Sequence, residues 1–356
     1  EHWQLWNGGG LPRVQISDMV IQKDADALVV GTFGRSIYVL DNLKVLRAIA
    51  QNKMVLNEKM AILTDEISGK KLSIKPVDGI RFVAQGDFIG ENRSFQPSIP
   101  IWIKPEGDTM KNVKVKAKII DTHEDTIRTF TAELSKGLNF INWNMCVDGV
   151  RYPGSKKLKK DEDLPSGYQV LAGRYEAQIS LDTIVRKCHI TVLDDERFQD
   201  ENMQYMAQRN AWINLYQTIN QATEHYDHLD DMMENITLIE SWFTFNQDSI
   251  PKEWKEKHKQ LKKEINELKA LYKMPDDVKG IQRNPENVMS KIGVAQSYIW
   301  YPDVLAYNPQ LAISEAQVEA DRVDKKVDAF IDTKWKDYSE EVEKMKFGLI
   351  KSLKKN

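Results

Sequence analysis

The stretch ALVVGTFGRSIYVLDNL, residues 27–43, decides the fold of the first part of the chain. Two runs of β-branched, aliphatic and aromatic residues flank a turn that contains Gly34, which is the pattern of a β-hairpin. A further run, VQISDMVIQ, precedes them and is separated from them by the turn-prone KDAD. We therefore predict three strands of a four-stranded sheet between Leu11 and Leu46. Because a sheet this small leaves edges and an apolar face uncovered, we expect it to pack on further β-structure.

Length and charge limit the class of protein. The chain has 356 residues, which is enough for two or three domains. Its 50 Lys and Arg residues against 53 Asp and Glu residues give a formal net charge of -3. Because there is no basic excess, we predict no nucleic-acid partner. No run of about 18 apolar residues occurs, so we also predict no membrane span.

Residues from about 60 to 192 are a series of short alternating runs separated by turn residues, which is typical of a β-sandwich of two antiparallel sheets. The run VKVKAKII places Val113, Val115, Ala117 and Ile119 on one face and lysines on the other. Residues 153–167 are charged and lack apolar periodicity, so we predict an exposed loop there.

After Phe198 the apolar spacing becomes helical. The stripe of the first helix consists of Met203, Met206, Trp212, Leu215, Ile219 and Ala222. Pro251 marks the start of a second helix, residues 285–302 favour a short one, and Ser314 is the predicted N-cap of a long last helix. Short connections between such helices indicate an antiparallel bundle.

The predicted fold class is therefore multidomain β plus α. A terminal β-propeller blade occupies residues 1–47, with the rest of the propeller upstream and absent. An immunoglobulin-like or fibronectin-like β-sandwich covers residues 48–198, and an antiparallel helical bundle covers residues 199–356.

The propeller prediction comes from a family resemblance. Residues 11–47 resemble the terminal blade of exported sialidase-like or sortilin-like (BNR-type) β-propeller repeat proteins, the bacterial group often called glycosyl hydrolases. The shared residues are Gly31, Thr32, Gly34, Arg35, Leu40 and Asp41, while Phe33 stands where the family usually has histidine. Residues 137–153 and 171–198 are similar to a sandwich strand with its loop and to the last hairpin of those proteins.

The resemblance implies an exported protein of the periplasm or cell surface. Our leading hypothesis is a non-catalytic binding and scaffolding portion, with no catalytic residue and no cofactor, whose partner is another protein or the missing propeller blades. One alternative is a supporting region of a sialidase-like glycoside hydrolase whose active site lies in upstream blades. Another is a subunit of an outer-membrane or secretion assembly.

Four Asp-Ser/Thr-aliphatic triplets resemble the O-glycosylation signal of exported Bacteroidetes proteins. Their hydroxyl residues are Thr109, Thr126, Thr183 and Ser249. We count these triplets as support for export.

The densest polar cluster is EHYDHLDD, in which His225, His228 and Asp231 follow one another at intervals of three. On a helix these side chains share one ridge and are within reach of one metal ion, or they form a solvated face. The second reading is favoured because no other helix offers an obvious histidine ligand.

Three further groups of residues are candidate sites. Arg35 either grips a carboxylate, as arginines do in sialidase-like enzymes, or stabilises the blade by pairing with Asp18 or Asp41. Trp300, Tyr301 and Tyr307 form either a binding platform for sugar or peptide or an anchor in the core, and we favour the anchor. Cys146 and Cys188, both in predicted strands, either form a disulfide or are two buried thiols, which is the favoured reading.

Overall fold

The structure is a computed structural model that describes residues 11, 13–72, 94–104, 112–198, 202–247, 249–275, 286–300 and 306–345. The chain forms two compact units. The first consists of Glu1–Asp148 and Gln169–Gln199, and the second of Gly149–Tyr168 and Asp200–Asn356. The segment Gly149–Tyr168 thus belongs to the same unit as the helices. Each unit is described separately below.

The first unit begins with a three-stranded antiparallel sheet of β1 (Ile16–Gln22), β2 (Ala27–Thr32) and β3 (Ile37–Leu40), in that order. The three predicted strands are confirmed. The turn between β2 and β3 places Gly34 at a φ of +76°, a conformation that favours glycine. The backbone N–H and the hydroxyl of Thr32 both donate to the carbonyl of Ser36, at 3.2 and 2.6 Å, which closes this turn.

Helix α1 (Leu43–Gln51) follows directly, where the sequence was expected to remain extended as far as Leu46. That expectation was wrong at this end of the segment. Asn42 takes a left-handed conformation, with φ 60° and ψ 48°, and redirects the chain. Leu43 and Leu46 are three residues apart, a spacing that places both on one side of a helix.

Eight of the ten remaining strands form two sheets in the first unit. The strands in chain order are β4 (Met60–Ile62), β5 (Glu66–Lys70), β6 (Ser98–Ile103), β7 (Val113–Ile120), β8 (Thr126–Leu134), β9 (Gly137–Asn142), β10 (Cys146–Asp148), β11 (Ser166–Gln169), β12 (Gly173–Leu181) and β13 (Ile184–Leu193). The larger sheet has the order β5-β13-β12-β7-β8 and the smaller sheet β4-β6-β9. Short 3-10 helices occupy Lys53–Asn57 and Glu196–Phe198.

The two sheets share one hydrophobic core. In β7, Val115, Ala117 and Ile119 are buried while the lysines between them are exposed, which confirms the predicted alternation. The expectation that both sheets are wholly antiparallel was wrong at one pair, because β5 runs parallel to β13. These two strands are far apart in the sequence, so no tight hairpin fixes their relative direction.

The described residues of the second unit form five α-helices: α2 (Asn202–Gln247), α3 (Lys252–Tyr272), α4 (Val288–Ile299), α5 (Tyr307–Phe330) and α6 (Lys336–Glu343). A π-helical turn, Ile331–Trp335, joins α5 to α6. Trp212, Leu215, Ile219 and Ala222 of α2 are buried in one common core, as predicted, whereas Met206 is 47% exposed. No helix in the described part of the chain combines the length and apolar character that a bilayer crossing requires.

The predicted N-cap of the last long helix was wrong. Helix α5 begins at Tyr307, so Ser314 lies inside it. Pro309 sits in the first turn, where its missing N–H leaves no intrahelical hydrogen bond unmade. The helix therefore begins seven residues before the predicted serine cap.

Candidate functional site

The sheet β1–β3 carries apolar side chains on both faces. Cross-strand partners share a face, so the register places Val20, Val29 and Val39 on one face, which we call the open face. Ile37, opposite Gly31, also lies on the open face. The other face, which we call the cavity face, carries two sets of cross-strand partners. They are Met19, Val30 and Tyr38, and Ile21, Leu28 and Leu40.

The open face is largely uncovered. Val20 is 59% exposed, Val39 57% and Ile37 67%. Phe33, in the turn beside this sheet, is 74% exposed. Large contiguous exposed apolar patches are uncommon on monomeric soluble proteins and often occur at interaction sites.

Helix α1 covers the cavity face incompletely. Leu43 and Leu46 from α1 line an apolar cavity of about 300 Å³ together with Leu28, Val30 and Tyr38. Met19 also lines this cavity and is still 62% exposed. A sheet that is apolar on both faces is typical of a layer buried between two others. The sequence signal was the unbroken apolar run ALVV, which lacks the alternation of a half-exposed strand.

Arg35 is exposed in the turn between β2 and β3. Within the described residues it has no ion pair, so the structure does not form the expected pairing with Asp18 or Asp41. The carboxylate of Asp18 accepts instead from the backbone N–H of Met19 at 2.8 Å. Arg35 is therefore an exposed guanidinium two residues along the chain from the exposed Phe33.

The predicted aromatic group is only partly described, because Tyr301 lies outside the described residues. Trp300 is 68% exposed and Tyr307 77% exposed, so the favoured core position was wrong for both. The Trp300 ring packs edge-on against Trp212, with the centroids 5.8 Å apart. Trp300 follows the last residue of α4, and it remains mostly exposed despite its contact with Trp212.

The three predicted metal ligands take different partners. The two rings of His225 and His228 are 6.2 Å apart, centroid to centroid. His225 contacts α5, whereas Asp231 pairs with Lys157. Among the described residues, no group of three or more His, Cys, Asp or Glu side chains has the arrangement of a metal site.

His225 belongs instead to a polar network inside the helical unit. Its Nδ1 lies 2.9 Å from the carbonyl of Gln221, and its Nε2 lies 3.1 Å from Oδ1 of Asp328. Asp324 is 2% exposed and accepts from the hydroxyl of Tyr272 at 2.6 Å. Its other oxygen is 3.6 Å from Nδ1 of His225. The network joins α2, α3 and α5, and no sequence pattern predicts it because its members are distant in the chain.

The two cysteines, Thr126 and Thr183 lie in the first unit, whereas Ser249 lies between α2 and α3. Cys146 and Cys188 are free thiols, and Cys188 is buried. Thr126, Thr183 and Ser249 are exposed, as an attachment site requires, while Thr109 lies outside the described residues. Their modification remains a prediction.

No protein-family model, curated protein or solved structure matches the chain. The fold is therefore assigned from the coordinates alone as mixed α plus β, with several sheets and five helices in the second unit.

Proposed function

We propose that the chain is a non-catalytic binding and scaffolding portion of an exported cell-envelope protein, and that the sheet β1–β3 is the layer through which it binds. Both faces of that sheet are apolar, and the open face has Val20, Ile37 and Val39 more than half exposed. This is the observation that carries the proposal. Apolar area removed from water contributes about 25 cal/mol per Å², so a partner that covers the face gains substantial free energy.

The partner we propose is another β-sheet that packs face to face on the open face. Sheets packed in this way lie about 10 Å apart and interdigitate their side chains. The alternating Val and Ile side chains of the open face offer the surface that such packing needs. A propeller blade is a sheet of this kind, covered by its neighbours on both sides.

In this proposal, β1–β3 is the terminal blade of a sialidase-like propeller, as the resemblance of residues 11–47 implies. The two sheets that share the second core are an immunoglobulin-like sandwich, and α2–α6 are a helical bundle. The proposed domain boundaries are 1–47, 48–198 and 199–356, with residues 149–168 assigned to the helical unit. The exposed Thr126, Thr183 and Ser249 agree with export, because glycosylation acts on accessible side chains.

A photo-cross-linking amino acid at position 39 tests the binding surface in cells that produce the protein. Val185 provides a matched control, because it is a valine of the same unit that is 48% exposed but lies outside β1–β3. We expect position 39 to cross-link to one discrete segment, and mass spectrometry to identify that segment as an apolar β-strand. Position 185 should give no such product.

Two outcomes would contradict the proposal. Equal cross-linking at positions 39 and 185 would show that the open face has no special partner. Recovery of the protein in the cytoplasmic fraction, with Thr126, Thr183 and Ser249 unmodified, would remove the assignment to the cell envelope.

A further inference from the structure

The second unit contains a polar cavity of about 550 Å³ between α2 and the segment Gly149–Tyr168, which we call the cover segment. This volume falls within the range of about 300–1,000 Å³ that small-molecule sites occupy. The cavity is separate from the sheet β1–β3 and from the binding function proposed for it. Its lining includes Arg151, Lys157, Asn220, Glu224, Asp227 and His228.

The cover segment is fixed on α2 by directional contacts. Arg151 and Asp227 form a bidentate ion pair, with N–O distances of 2.9 and 2.8 Å. The hydroxyl of Thr223 donates to the carbonyl of Arg151 at 3.1 Å. Gly154 has a φ of +75°, and an added Cβ there would lie 3.3 Å from the Tyr226 ring, so the segment approaches α2 closely. The cavity is therefore held in shape before any ligand enters.

The cations of the cavity are already paired. Arg151 is occupied by Asp227, and Lys157 by Asp231. Asn220, Glu224 and His228 lie four residues apart on α2, so they form a row on one side of the helix. Within the described part of the chain, Asn220 and Glu224 have no hydrogen-bond or ion-pair partner, and His228 has only its ring contact with His225. These three groups are the ones available to a ligand.

The charged side chains that line the cavity limit the kind of ligand it can bind. The two ion pairs offset the charges of Arg151, Lys157, Asp227 and Asp231, so the unpaired carboxylate of Glu224 gives the cavity a net negative charge that repels an anion. A polycation would find the other two carboxylates, those of Asp227 and Asp231, already paired. A hydroxyl group both donates and accepts, which suits a carboxylate, an amide and an imidazole side by side. We propose that the cavity binds a small, uncharged polyhydroxyl compound, a saccharide or polyol.

Saturation-transfer NMR on the full chain, with glucose, galactose, N-acetylglucosamine and inositol as probes, tests this site. We expect at least one of these compounds to receive magnetisation from the protein. The dissociation constant, measured by titration, should rise roughly tenfold or more for Glu224→Ala and for Asn220→Ala, because each loses hydrogen bonds to the ligand.

Glu256→Ala is the matched control, since Glu256 is an exposed glutamate on α3 outside the cavity. It should bind the probe as the natural chain does. Thermal unfolding of every variant shows that it is folded, and the exposure of Asn220 and Glu224 predicts unchanged midpoints. The proposal is overturned if none of the four compounds binds. It is also overturned if Glu224→Ala and Asn220→Ala bind as tightly as the control, or if phosphate or spermidine binds at the cavity in their place.

Discussion

The imidazole Nε2 of His225 lies 3.1 Å from Oδ1 of Asp328, while its Nδ1 lies 2.9 Å from the carbonyl of Gln221. Both neighbours are acceptors, so the ring satisfies both contacts only when each nitrogen carries a proton. Burial lowers the pKa of His225, but the hydrogen bond to Gln221 and the charges of Asp324 and Asp328 outweigh it, and the net shift is upward. The protonated form of His225 therefore makes both of these contacts, one of them to α5.

We predict that this link weakens as the pH rises. The folded-state pKa of His225 is above the unfolded value of about 6.5, so its stabilising contribution is complete below about pH 6.5 and is lost as the pH rises through the folded-state pKa. The measurement is the free energy of unfolding of the helical unit in urea, followed by far-UV circular dichroism between about pH 5.5 and 8.5. His225→Gln should remove this part of the pH dependence. An unchanged slope in the variant would contradict the prediction.

His258 should contribute to the pH dependence of stability with the opposite sign. It is 1% exposed, its Nε2 lies 3.1 Å from the hydroxyl of Tyr338, and its Nδ1 lies 3.3 Å from Oε1 of Glu240. Burial lowers the pKa of His258 by more than Glu240 raises it. Its contribution to stability is thus present above about pH 6.5 and is lost as the pH falls through the lower folded-state pKa.

The same urea titrations distinguish the effects of the two histidines on the free energy of unfolding. We expect His258→Gln to flatten the loss of stability on the acidic side, whereas His225→Gln flattens the loss on the alkaline side. If both variants changed the same side of the profile, the opposite signs assigned to the two pKa shifts would be wrong.

The two thiols should differ in reactivity. Burial raises the pKa of Cys188 to about 12, and the thiolate is the reactive form. Cys146 is less deeply buried. Labelling with a thiol reagent at about pH 8 should modify Cys146 first, and Cys188 only after denaturant is added. Equal labelling rates in the native protein would contradict the predicted difference in reactivity. Failure of both to react after denaturation without reductant would contradict the free-thiol assignment.

Two isoleucines of the first unit should have very different effects on stability. Ile101 is fully buried between the two sheets, so Ile101→Ala should lower the free energy of unfolding by about 2–5 kcal/mol. Ile37 is 67% exposed on the open face, so Ile37→Ala should change it by less than about 0.5 kcal/mol. Denaturant unfolding of the isolated chain measures both. A large loss for Ile37→Ala would show that the open face is covered in solution.

The ion pair between Arg151 and Asp227 should stabilise the cover segment. Its side chains are only 21% and 18% exposed, and Asp227→Asn leaves the guanidinium without its charged partner. We expect a loss of about 1–3 kcal/mol in the stability of the helical unit. The control is Glu162→Gln in the same segment, whose pairing with Lys156 is much more exposed and should contribute little. Equal losses in the two variants would contradict this assignment.

The sequence by itself determined the type and position of most elements. The alternation of residues 113–120 and the helical stripe that contains Trp212 and Ile219 both appear in the structure as predicted. Periodicity succeeds here because one face of each element must be buried, so the spacing of apolar residues within the segment indicates which face that is. The same local signals placed the hairpin of β2 and β3 around Gly34.

Contacts between distant residues were decided only by the tertiary structure. The pairs His225–Asp328 and Arg151–Asp227 are separated by 103 and 76 residues, and no local pattern links their members. The parallel pairing of β5 with β13 is of the same kind. Local propensities are worth only fractions of a kcal/mol per residue, so packing against distant segments overrides them and also assembles the cavity beneath the cover segment.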